Sequence, residues 1–144
     1  MKMKMKENYK ILAEFIKDMS SETPDTPTHI FVRDKISKYK LNIDINSKAV
    51  KDGIIEVNTI IKFSDQPEIL KKAHFEITYT SIVKVDEKVS DKKEMEKIIL
   101  CDVPNKIYPD LERIFLNLLT DSGYPGIKFE KKVDFTELYK QRAN

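Results

Sequence analysis

Tyr39-Lys-Leu-Asn-Ile-Asp-Ile-Asn46 alternates apolar and polar side chains without a break. Successive side chains of a β-strand point to opposite faces, so Tyr39, Leu41, Ile43 and Ile45 line one side and Lys40, Asn42, Asp44 and Asn46 the other. A turn at Lys51-Asp-Gly53 follows, where Gly53 can supply positive φ, and Ile55, Val57, Thr59, Ile61 and Phe63 resume the period. These two strands are expected to pair antiparallel. Ser64 to Pro67 makes the next turn. Ala73, Phe75, Ile77 and Tyr79 then alternate with His74, Glu76, Thr78 and Thr80, and the apolar parity passes through Ser81 to Val83 and Val85.

Upstream, Ile11, Ala13, Phe15 and Met19 stand at odd positions, whereas Glu14, Asp18 and Glu22 share the other parity with Leu12 and Ile16. The pattern predicts a half-buried strand with a mixed second face. Thr23-Pro-Asp-Thr-Pro27 removes two backbone donors and ends that strand, and a long crossover connection is expected after it. Downstream the period changes. Met95, Ile98 and Ile99 fall at helical spacing within a short helix spanning 92–101, although Ile98-Ile-Leu-Cys101 alone is also compatible with a strand. Pro109 suits the first turn of a second helix whose stripe is Leu111, Ile114, Phe115, Leu118 and Leu119, ending at Gly123. Asp134 or Thr136 caps a last helix carrying Leu138 and Tyr139. Strands first and helices later imply an α+β fold with helices packed on one face of an antiparallel sheet.

The 144 residues fit one domain, read as 9–144 behind a solvated, flexible basic tail at 1–8. Charged residues make up 35% of the chain, which calls for a large surface relative to the core. Lys and Arg exceed Asp and Glu by two and are scattered, so no stripe suited to a phosphate backbone forms and nucleic acid is not an expected partner. Cys101 is the single cysteine, which excludes an internal disulfide and points to a reducing, cytoplasmic setting. No run approaches the ~18 apolar residues of a membrane span, so direct membrane insertion is not expected.

His29, His74 and Cys101 lie far apart in sequence and make no metal-ligand spacing. Cys101 sits in an apolar run and reads as a small buried hydrophobe rather than a nucleophile. Three glycines, at 53, 123 and 126, form no phosphate-cradling loop. No catalytic residue, metal or cofactor is therefore expected. Asp18 and Glu22 share one face of their strand and, with Glu76, read as solvated charge or as an acidic patch for a basic partner. Phe31, Tyr39, Tyr108, Tyr124 and Tyr139, together with five methionines, fit either a core or a groove for apolar peptide.

Several segments in series resemble the SecB family of bacterial export chaperones. They are Lys17-Asp18-Met-Ser20 with Glu22, Pro24 and Pro27, the Leu41-Asn-Ile-Asp strand, Glu56-Val57, Phe75-Glu76 with Ile82, Pro104-Asn105, Pro109, Tyr124-Pro125 and Val133-Asp-Phe135. The resemblance implies a four-stranded antiparallel sheet with two main helices on one face, assembled as a homotetramer, a dimer of dimers. It implies an ATP-independent holdase that keeps preproteins unfolded and delivers them to the motor SecA. Leu41, Ile43, Phe135, Leu138 and Tyr139 then become candidates for a client groove. Asp18, Glu22, His74 and Glu76 become candidates for docking the zinc-binding C-terminal tail of SecA, the zinc belonging to that partner. The chain departs from the pattern at Ser21, where an aromatic residue is usual, at His74, where leucine is, and at Thr80-Ser81, where a glycine pair is common. After Pro109 it reads Asp-Leu-Glu-Arg113 in place of an aromatic, a small residue and arginine. The same fold serving one dedicated partner, such as an antitoxin, is the nearest alternative. A small enzyme working through Asp44 or Asp102, and an inert subunit of a larger complex, stand further off.

Overall fold

Alternation of apolar side chains becomes a four-stranded antiparallel sheet in the computed structural model, which describes residues 8–64, 72–129 and 133–143. The strands are β1 (Tyr9–Glu22), β2 (Lys40–Lys51), β3 (Ile54–Ser64) and β4 (His74–Val85), in spatial order β1-β4-β3-β2. Gly53, at φ 73, turns β2 into β3. The expected tail at 1–8 and turn at 64–67 fall almost wholly outside the described residues. Asn8 is described, and its carbonyl accepts from the Asp86 amide at 2.7 Å.

One face of the sheet is apolar and covered. Ile61, Phe63, Phe75, Ile77 and Tyr79 form the core with Ile107, Leu111, Phe115 and Leu119 of the long helix. The sheet is thus a two-layer structure with its helices segregated to one side, as the order of elements implied.

Two expectations are corrected and one is filled in. The expected long crossover carries the chain from β1 to β2 at the opposite edge of the sheet, and α1 (Thr26–Arg33) forms within it. Asp25 caps it by accepting from the Thr28 amide at 2.8 Å, and Pro27 occupies the first turn, where its missing N–H costs nothing. The prolines that end β1 therefore also start a helix. Secondly, the helix expected to begin at Pro109 begins earlier. α2 (Lys92–Lys97) runs through a π-helical turn (Ile98–Asp102) into α3 (Val103–Asp121), with Pro109 inside it. Pro104 has no amide to offer the preceding turn, and the wider π spacing absorbs that loss. Gly123, at φ 96, stops α3 as expected, and Asp134 caps α4 (Phe135–Ala143) through the Thr136 and Glu137 amides.

Thirdly, β1 is not half-buried. Leu12, Phe15, Ile16 and Met19 are all more than two-fifths exposed. Its pairing with β4 shifts register between Ile11 and Ala13 and again between Ile16 and Asp18. Each bulge inserts one residue and reverses which parity faces the helices. Phe15, opposite Thr80, lands on the uncovered face, while Glu14 and Ile16, opposite Ser81 and Tyr79, land on the helix side.

Candidate functional site

Two surfaces flank the sheet. On the helix side, Ile43 and Ile45 of β2, Leu100 of the π turn, and Phe135, Leu138 and Tyr139 of α4 line a groove of ≈ 400 Å³, with Asp44 and Gln141 at its margin. Phe135 is fully buried at its base and packs edge-on against Tyr108, whereas Leu138 is 45% exposed. Burial and the nearby charge of Glu112 raise the Tyr108 hydroxyl far above its ordinary value, so it stays neutral in this apolar setting. Four of the five residues named as groove candidates meet here. Leu41 does not line the groove and packs against the main core instead. Ile45 and Leu100 were missed: Ile45 carries the same alternation as Ile43, but nothing in the sequence around Leu100 marks its partners, which lie more than thirty residues away on either side.

On the uncovered face, strand register settles which side chains stand together. Asp18 opposes Thr78, Ser20 opposes Glu76 and Glu22 opposes His74, so Asp18, Glu22, His74 and Glu76 share this face at one end of β1 and β4. Asp18 and Glu22 are exposed; His74 and Glu76 are partly so. Lys62 of β3 opposes Glu76, and its Nζ lies 3.6 Å from the carboxylate. His74 Nε2 approaches the same oxygen at 3.9 Å. Ser21, opposite Phe75, turns to the helix side, where its hydroxyl meets that of Ser122 at 2.6 Å.

The middle of this face is a polar ladder. Thr80, fully buried, donates to Asn58 at 2.7 Å, and the Asn58 amide donates to Asn46 and Glu56. Lys17, one of the two bulged residues of β1, reaches across to Glu56 at 3.1 Å. The bonds from Asn58 and then Lys17 hold the Glu56 carboxyl below its ordinary range. Thr80 and the neighbouring Ser81 stand where the resembled pattern has glycines, and Ser81 Oγ has no partner on the helix side.

Nothing among the described residues assembles a nucleophile with a base. Cys101 is buried and free, its sulfur 3.2 Å from the Thr136 hydroxyl. Asp44 and Asp102 are far apart in role: one rims the groove and the other lies in the π turn. No group of His, Cys, Asp or Glu among the described residues could hold a metal ion. No helix among them is long and apolar enough to cross a membrane.

Comparison with known proteins gives the lineage. A family model described as preprotein translocase subunit SecB matches residues 2–144. A putative protein-export protein SecB of Pelagibacter ubique is 94% identical over 140 residues, 97% of this chain and all of that protein. A protein-export protein SecB of Methylocella silvestris is 23% identical, covering 92% of this chain and 81% of its own length. Among solved structures, a SecB-like chaperone of Mycobacterium tuberculosis in complex with an antitoxin peptide superposes with a TM-score of 0.65. That match covers 87% of this chain and 91% of the other at 12% identity, and bears on the fold alone. A match along nearly the whole chain, joined to a relative that differs at few positions, leaves one conclusion: the chain belongs to the SecB family, chaperones rather than enzymes.

Proposed function

We propose that this protein is a cytoplasmic, ATP-independent holdase that keeps preproteins unfolded and delivers them to SecA. The observation that carries the reading is the open apolar groove beside α4, on a chain whose 94% identical relative is a putative export protein. Burial of apolar client surface gains roughly 25 cal/mol per Å², so a segment laid along Ile43, Ile45, Leu100 and Leu138 is held without sequence-specific contacts. Affinity then scales with exposed apolar length, which unfolded chains have and folded ones lack.

Asp18, Glu22 and Glu76 would receive the basic, zinc-loaded tail of SecA, with His74 in the same patch. Opposite charge steers and orients such an encounter more than it strengthens it. The working form would be a homotetramer, a dimer of dimers. The exposed apolar edge of β1 supports self-association, because a long unpaired strand edge is a template for another chain.

The test is calorimetric titration with the zinc-loaded SecA C-terminal tail, comparing wild type with an Asp18→Asn/Glu76→Gln variant, while an unfolded preprotein is titrated in parallel. Salt-sensitive tail binding that the variant loses, with preprotein binding retained, is the expected result. Preprotein binding without any tail binding would replace this reading by that of a chaperone dedicated to one partner. The antitoxin peptide on the Mycobacterium tuberculosis chaperone makes that the second reading.

A further inference from the structure

Among the described residues, Glu76 is the one carboxylate of the acidic patch that has a cation of its own chain beside it. Lys62 stands directly across on β3 with Nζ at 3.6 Å, and His74, two residues along β4, brings Nε2 to 3.9 Å of the same oxygen. Asp18 and Glu22 are exposed, and neither makes an ion pair among the described residues. The Glu76 carboxylate is about one-quarter exposed, whereas the Lys62 and His74 side chains stand roughly half out in solvent. Both pairs are thus of the weak, solvent-screened kind that a competing cation can displace.

We propose that Lys62 forms an intramolecular clamp on Glu76 that sets the strength of docking by a cationic partner. The proposal rests on the docking reading given above and deepens it. Among the described residues, Glu76 is faced by Lys62 directly across on β3, by His74 on its own strand and by Ser20 across on β1. Lys62 therefore competes with any cationic ligand for the same carboxylate. Docking in this chain is an exchange of ion pairs, and the lysine at 62 sets its affinity.

The experiment is titration of the full-length protein with the zinc-loaded SecA tail peptide at low salt. Wild type, Lys62→Met and Glu76→Gln are compared, and circular dichroism confirms that each is folded. Lys62→Met is expected to tighten binding about three-fold, the size of a surface ion pair removed from competition. Weaker binding by Glu76→Gln with no change in Lys62→Met overturns the clamp while leaving the docking reading standing. Tail binding absent from wild type and from every variant overturns both.

Discussion

Gly123 shows how much can depend on one missing side chain. Its φ of 96 is a region that L side chains rarely adopt, and a Cβ there would lie 2.7 Å from His29 Nε2. That nitrogen is 3.0 Å from the Gly123 carbonyl oxygen, and the imidazole packs on Tyr124 at 4.9 Å. Tyr124 in turn shares a hydrogen bond with Thr23. The end of α3, the crossover and α1 are therefore tied through one turn. Gly123→Ala should lose about 1–3 kcal/mol of stability, measured as a lower denaturant midpoint. Tyr79 offers a second check. Burial first, then the charge of Glu14 and the hydrogen bond donated to it at 3.1 Å, push its hydroxyl up to about 12 from 10. The folded state thus holds this proton more tightly than the unfolded one. The linked stability is complete below pH 10 and is lost as pH rises toward 12; Tyr79→Phe should flatten that part of an alkaline unfolding profile.

At the scale of elements, β1 carries four of the exposed large apolar side chains. It is a 14-residue edge strand with Leu12, Phe15, Ile16 and Met19 exposed. Replacing Ile16 and Met19 by lysine should shift the protein toward smaller species in analytical ultracentrifugation, while far-ultraviolet circular dichroism keeps its sheet signal. Unchanged sedimentation would show that this edge is not where copies meet. The same strand marks a limit of reading by period. Its existence was legible from Ile11 to Met19, but the bulges at Leu12 and Lys17 carry no distinctive residue type, so the parity that placed Phe15 and Met19 on one face could not survive them. Proline was ambiguous for a similar reason. It stops a strand, starts a helix or sits inside one beside a π turn, and Pro27 and Pro109 were each assigned one of these where another holds.

For the whole molecule, the α+β class and its one-sided helices were legible because alternation in three runs, 39–46, 55–63 and 73–85, leaves one apolar face in need of cover. The antiparallel pairing of β2 with β3 was legible from the Lys51-Asp-Gly53 turn, but the place of β1 beside β4 was not, since alternation within a strand says nothing about a distant neighbour. For the same reason Lys62, which is an ordinary solvent-facing residue by parity, acquires its place beside Glu76 only through cross-strand register. The groove was legible in Ile43 and in the three α4 residues, and illegible in Leu100, which a π turn aims where an α-helical count would not put it. Helices on one side only also mean that groove and acidic patch lie on opposite faces of the sheet, and they lie at opposite edges as well, the groove on β2 and the patch on β1 and β4. On the proposed function, two macromolecules seated there do not compete for one surface, and transfer from one to the other comes from a difference in binding free energy that the partner itself supplies.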